Sequence, residues 1–220
     1  MSFACLILGE SGTGKTCSLR NIDPSKALLI QPIRKPLPFP AAGWTETGNE
    51  RNIFVTPDPK TIVRVMEKTR KDIIIVDDFQ YVLAAMFMNR RNEKGYDKFN
   101  DIGGAGYDIA RTASELPPQK RVYVLSHTVT DDLGNTRIKT LGRMLDDKIV
   151  VEGMFTTVLR TQVENGRYMF STHNSGSDTV KSPMGMFPEG LIDNDLAAVD
   201  ARICEYYGIQ TTPATEETNQ

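Results

Sequence analysis

Cysteine is scarce in this chain: Cys5, Cys17 and Cys204 are the only three. An odd count without ligand-like spacing argues against a disulfide framework or a zinc ribbon and favours a reducing cytosol. Charge of one sign is also lacking, with 26 Lys and Arg against 28 Asp and Glu for a formal net charge of -2. No global basic signature of a nucleic-acid binder exists, and any such surface must be local. Long hydrophobic runs are absent as well. The first apolar run, Phe3 to Leu8, is too short for a signal segment or a membrane span, so a soluble cytoplasmic protein without a membrane partner is expected. Neither an internal repeat nor a long Ser/Gly or charge-rich linker divides the chain. The expected organisation is one domain over residues 1–210, followed by a polar, poorly ordered tail, Thr211–Gln220. What is present is enough apolar material for a real core: 220 residues, 40% hydrophobic.

Short apolar runs alternate with longer mixed segments, the pattern of an α/β fold with a mostly parallel sheet flanked by helices. Strands are predicted at Phe3–Leu8, Ala27–Gln31, Ile53–Thr56, Asp72–Val76, Arg121–Ser126, Thr156–Thr161 and Arg167–Thr172. Helical spacing appears at Lys15–Asn21, Pro59–Thr69 and Ala105–Leu116. Glu164-Asn165-Gly166 between the last two strands is a turn tripeptide, which predicts a C-terminal antiparallel hairpin. Pro32, Pro36, Pro38 and Pro40 exclude a regular helix or inner strand from that stretch, leaving an extended surface connection. Trp44, just beyond it, is read as packing rather than as a cover for a ligand.

Gly9-Glu10-Ser11-Gly12-Thr13-Gly14-Lys15-Thr16 matches the pattern G-x-x-x-x-G-K-[ST] throughout and lies between a strand and a helix-compatible segment. Glycines let the backbone curl so that successive N–H groups point at phosphate oxygens, and the following helix start adds a positive dipole end. Lys15 supplies a mobile cation for the β and γ phosphates, and Thr16 a hydroxyl for Mg²⁺. With Cys17 next in line, this run is the expected ATP-binding set. The β-branched run Asp72 to Val76 ends in Asp77 and Asp78, at the sheet edge where parallel α/β sheets bind ligands. Asp77 is expected to share the Mg²⁺ shell and Asp78 to act as general base, with Glu10 or Glu46 as alternative bases. Ser126-His127-Thr128 ends a further strand; His127 or the Ser126 hydroxyl is expected to sense the γ-phosphate, and His173 is a weaker candidate.

Two polar loops follow this edge. One carries Arg90, Arg91, Lys94, Tyr96, Lys98 and Phe99, and the other carries Arg137, Lys139, Arg143 and Lys148. Cations that track phosphates and aromatics that stack on bases would make these a local groove for single-stranded DNA, although acids such as Glu93, Asp97, Asp131 and Asp146 are interleaved.

The glycine-rich run, Ile73-Ile74-Ile75-Val76-Asp77-Asp78, Val124-Leu125-Ser126-His127-Thr128, Lys139 to Leu145 and Gly176 to Pro183 together resemble phage-encoded RecA-like nucleotide-binding proteins. These are reduced RecA-type P-loop NTPase cores, some of which are single-strand annealing recombinases of the Sak type. The resemblance implies a DNA-stimulated ATPase of the host cell cytoplasm that binds single-stranded DNA in phage recombination. It also implies homo-oligomeric assembly in a ring or filament, and a single-strand DNA-binding protein as a possible partner. On the same ground Lys181 matches a cation presented to a neighbouring subunit's γ-phosphate, although Ser182 and Pro183 leave no second cation beside it. RecA places a catalytic glutamate after an early strand; here Gln31 and prolines stand there. A small nucleotide kinase and a nucleotide-gated accessory protein of phage replication or packaging are the rival readings.

Overall fold

The computed structural model describes residues 1–141 and 149–210. Among them nine strands form one mixed sheet: β1 (Phe3–Gly9), β2 (Ala27–Gln31), β3 (Ile53–Val55), β4 (Ile73–Val76), β5 (Arg121–Thr130), β6 (Thr136–Ile138), β7 (Thr157–Glu164), β8 (Arg167–Ser171) and β9 (Leu191–Asp193). The order across the sheet is β3-β2-β4-β5-β1-β7-β8-β9, with β6 paired to the end of β5. The six strands from β3 to β7 are parallel, and β8 and β9 are antiparallel additions.

β1 is central and buried along its whole length, which is why it reads as a continuous apolar run rather than an alternating one. Its side chains divide between two cores. Ala4, Leu6 and Leu8 face one cluster with Ile62, Val82, Ile102 and Ile109, on α1 (Pro59–Lys68), α2 (Gln80–Asn89) and α3 (Asp97–Glu115). Phe3, Cys5 and Ile7 face the other, with Leu19, Leu196, Val199 and Ile203 from a short 3-10 helix (Thr16–Asn21) and from α4 (Leu196–Tyr207).

Local signals fix the helix ends. Asp58 caps α1 by accepting from Thr61 N at 2.9 Å, with Pro59 in the first turn. Asp195 caps α4 by accepting from Ala197 N at 2.9 Å, and Gly208 closes it in the left-handed region at φ 63. A buried network ties α4 to the sheet: Arg121 Nε and Nη2 donate to Asp200 Oδ1 and Oδ2 at 2.9 and 3.0 Å, and the Tyr123 hydroxyl donates to Oδ1 at 2.5 Å. The β7–β8 turn has Asn165 at φ 51 and Gly166 at φ 77, the paired left-handed residues of a tight hairpin.

Several expectations change in detail. The segment after the glycine-rich run is a six-residue 3-10 helix, not an α-helix. α3 begins at Asp97 rather than Ala105, so part of the expected loop is helical. β5 runs on to Thr130 and turns through Asp131, whose carboxylate accepts from Leu133 N and Asn135 N, into β6. The second expected loop therefore begins as a hairpin. The expected tail Thr211–Gln220, with Arg143 and Lys148, lies outside the described residues. No helix among the described residues is long and apolar enough to cross a membrane.

Candidate functional site

The ends of β1, β4 and β5 meet at one edge of the sheet, and the residues beyond them converge. β1 delivers the glycine-rich loop. Gly9 is required by close approach, because a Cβ there would lie 1.9 Å from Thr161 Oγ1 on β7. Gly14 stands at φ 97, and a Cβ on it would meet the Tyr168 ring at 2.9 Å and Asn194 Oδ1 at 3.2 Å. Within the loop, Thr13 Oγ1 bonds Glu10 O at 2.8 Å and shares a 2.6 Å bond with Thr161 Oγ1. Thr161 Oγ1 also lies 3.3 Å from Leu8 O, a second acceptor for its one proton. The loop is thus fastened to β7.

Lys15 is buried, and its ammonium donates to the carbonyls of Gly9 and Glu10, both at 2.8 Å. Burial lowers its pKa, with Asp78 and Asp77 opposing the shift. Thr16 Oγ1 donates to Asp77 Oδ2 and Oδ1 at 3.0 and 3.2 Å, joining the loop to the end of β4. Asp77 is almost fully enclosed; burial, reinforced by the neighbouring charge of Asp78, pushes its pKa up to about 6.

Asp78, the next residue, adopts φ 54, a left-handed backbone that aspartate tolerates better than most residues. That conformation sends its buried carboxylate toward two partners. His127 Nε2, at the end of the buried part of β5, lies 3.3 Å from Oδ1, and Lys35 pairs with Oδ2. Burial and the charge of Lys15 lower the pKa of His127, which favours the neutral ring. Burial works against the charge on Lys35, but its bond to Asp78 outweighs this and its pKa is raised. Tyr81, on the first turn of α2, lies edge-on to His127, with ring centroids 5.8 Å apart, and beneath the Lys35 ammonium at 5.4 Å.

These groups line a crevice of about 270 Å³ that takes in Ser11, Gly12, Gly14, Lys15, Thr16 and Cys17 with Lys35, Pro38, Asp78, Tyr81, His127 and Tyr168. Of the expected binding residues, Gly9, Glu10 and Thr13 instead face a second cleft of about 470 Å³, with Thr128, Gly134, Thr136 and Arg160. Ser126 is fully buried outside the crevice, and its hydroxyl has no partner among the described residues. Glu46 pairs with Arg34 at 2.8 Å, and His173 Nε2 lies 3.1 Å from Phe187 O, so both already have structural partners.

Lys181 is not brought to this crevice. It is bridged through its backbone to Val158, partway along β7. The first expected DNA loop is partly tied down. Arg90 pairs with Glu93 at 2.7 Å and with Asp101 on α3 at 2.5 Å, and Lys98 donates to Glu93 O at 2.9 Å. Arg91, Lys94 and the 84% exposed Tyr96 face solvent, as do Arg137 and Lys139.

Sequence reasoning missed Lys35, Tyr81, Tyr168 and Asn194. The Asn194 carboxamide is buried beside Gly14 without a partner among the described residues. Tyr168 and Asn194 come from β8 and the turn after β9, and nothing in their local sequence marks them as neighbours of the loop.

The donor set suits a polyphosphate. Lys15 and Lys35 supply cations, and the loop backbone supplies N–H groups. Among the described residues no cluster of three or more His, Cys, Asp or Glu side chains is arranged to hold a metal. The Thr16–Asp77 pair nevertheless fits Mg²⁺, which takes few protein ligands when phosphate oxygens and water complete its shell. Compared with known protein families and with curated proteins, the chain matches none.

Proposed function

We propose that this chain is a RecA-like P-loop ATPase that binds Mg·ATP in the crevice, hydrolyses it, assembles with copies of itself, and engages single-stranded DNA in phage recombination by strand annealing. One observation carries the nucleotide part of this reading. Three neighbouring strands contribute a buried lysine in a glycine-rich turn, a threonine bonded to a buried aspartate, and an aspartate 3.3 Å from a histidine, all at one edge. That combination serves phosphoryl transfer, in which positioning and charge neutralisation do most of the catalysis.

Thr16 and Asp77 would hold Mg²⁺, whose bound charge offsets that of the phosphates. Lys15 and the loop amides orient the triphosphate. Asp78 takes a proton from water as the water oxygen bonds to the γ-phosphorus and the bond to the β–γ bridging oxygen breaks. ADP and phosphate are the products. His127, 3.3 Å from the Oδ1 of Asp78, would orient that carboxylate.

The half-buried position of Lys181 on the far side of β7 from β1 suits a cation that serves a neighbouring copy rather than its own crevice. The exposed Arg91, Lys94, Tyr96, Arg137 and Lys139 supply cations and a stacking ring for single strands. Lys15→Ala is expected to abolish ATP binding and turnover in a fluorescent-nucleotide titration and a phosphate-release assay; unchanged hydrolysis would overturn the site assignment. An ATP-dependent mobility shift of a single-stranded oligonucleotide tests the DNA part, and no shift at any nucleotide state would remove it.

A further inference from the structure

The four prolines after β2 do more than exclude regular structure: they deliver a second cation to the crevice. Lys35 lies four residues beyond the end of β2, the strand beside β4. Pro36 restricts its backbone to extended conformations. The strap that follows is anchored, because Leu37, Phe39 and Trp44 pack against the core cluster on the α4 side of the sheet, and Arg34 is held by Glu46 at 2.8 Å. The strap thus holds the Lys35 backbone in place, and the four-carbon side chain is long enough to reach a partner other than Asp78.

That side chain is half exposed (47%), whereas the Asp78 carboxylate it pairs with is buried (6%). The ammonium stands at the mouth of the crevice, among the same lining residues as Lys15, Thr16 and His127. Lys15 differs: it is buried and committed to two loop carbonyls. Of the two lysines, Lys35 is the one that would have to leave a carboxylate to reach a phosphate. Its present partner carries one negative charge, whereas a terminal phosphate carries about two and attracts an ammonium about twice as strongly at equal distance and screening.

We propose that Lys35 distinguishes triphosphate from diphosphate: it pairs with the terminal phosphate when one is bound and otherwise remains on Asp78. Paired with Asp78, it occupies one of the two oxygens needed to accept a proton from water. Transfer to a γ-phosphate frees that oxygen, while His127 keeps the other. A diphosphate leaves the Lys35–Asp78 pair intact. The strap thus couples the presence of the γ-phosphate to release of the base within one subunit, separately from any cation that a neighbour supplies.

The inference rests on the nucleotide reading of the crevice, and one experiment separates their failures. Dissociation constants for ADP and for a nonhydrolysable ATP analogue, each with Mg²⁺, are measured by isothermal titration on the wild-type chain, Lys35→Met and Lys35→Arg, with thermal melts to verify folding. The wild type is expected to bind both ligands. Lys35→Met is expected to weaken the analogue by about 3- to 10-fold, about half of a charge-assisted hydrogen bond because the bond gained on the phosphate replaces the one lost on Asp78, and to leave ADP within about twofold. Lys35→Arg is expected to restore most of the difference. A wild-type chain that binds neither ligand overturns the nucleotide reading and this inference with it. Binding of both ligands by the wild type, with equal losses or no loss in Lys35→Met, overturns the role of Lys35 alone. Should Lys35→Met melt far below the wild type, Lys35→Gln takes its place with the same two outcomes.

Discussion

Replacing Asp77 by asparagine sets stability against chemistry at a single carboxyl. Its pKa is raised from 3.8 to about 6, so between those values the native state holds a proton that the unfolded chain has already released. Stability linked to this group is fully present below pH 3.8, falls as pH rises, and is lost above about pH 6. A gap of roughly two units at ~1.4 kcal/mol per unit gives a loss of up to ~3 kcal/mol at neutral pH. The carboxamide of the variant cannot ionise and should lack this loss. Its new amide N–H groups introduce an opposing cost of about 1–3 kcal/mol if they find no acceptor, but that cost does not vary with pH. The diagnostic quantity is therefore the slope. Urea unfolding from pH 4 to 8, in metal-free buffer without nucleotide, should show the stability of Asp77→Asn minus that of the wild type rising by about 2–3 kcal/mol between pH 4 and 7 and then levelling. A difference that stays constant across that range would refute the argument, whatever its sign. The same variant should lose the Mg²⁺ dependence of nucleotide binding.

Other perturbations address single contacts. Gly9→Ala should cost about 1–3 kcal/mol by overpacking, and less in a Thr161→Ala background because Thr161 Oγ1 is the nearer of the two hydroxyls in the way, Thr13 Oγ1 being the other; additive effects in the double-mutant cycle would contradict this. Asp200→Ala strands the buried Arg121 guanidinium and should cost about 3–5 kcal/mol by denaturant titration, whereas a loss under about 1 kcal/mol would mean that water reaches Arg121. If single strands lie along the exposed cations, replacing Arg91, Lys94 and Lys139 together by alanine should reduce the salt slope of oligonucleotide binding by about 2. Arg90→Ala should leave that slope unchanged, since Glu93 and Asp101 already neutralise it; the reverse pattern would move the DNA path.

The parallel core was legible because strands buried on both faces are written as unbroken apolar runs: Ala27–Gln31 is found at the expected bounds, and Asn165-Gly166 marked the hairpin. Misreadings arose where local preference and tertiary context diverge. Gly103, Gly104 and Gly106 disguise the middle of α3, yet Gly103 and Gly106 are buried there, and packing overrides the poor propensity of glycine. Gln80–Asn89 is apolar almost all round, so it offers no periodicity from which to locate α2. At the site, the glycine-rich loop and the two aspartates announced themselves by spacing. Lys35 did not, because its partner lies 43 positions away and the pairing exists only once β2 lies beside β4. Arg90 looked free for the same reason: Asp101, which occupies it, belongs to the following helix.

The strand β7 is gripped at two heights. Thr161 clasps the glycine-rich loop through Thr13, and three residues earlier Val158 is stitched by two backbone bonds to Lys181. The separation is about 10 Å of extended chain, which resists stretching and transmits a shove along its length. A shift of the Lys181 segment therefore cannot stay local: the stiff length of strand between the two clasps carries it to the glycine-rich turn of the same chain.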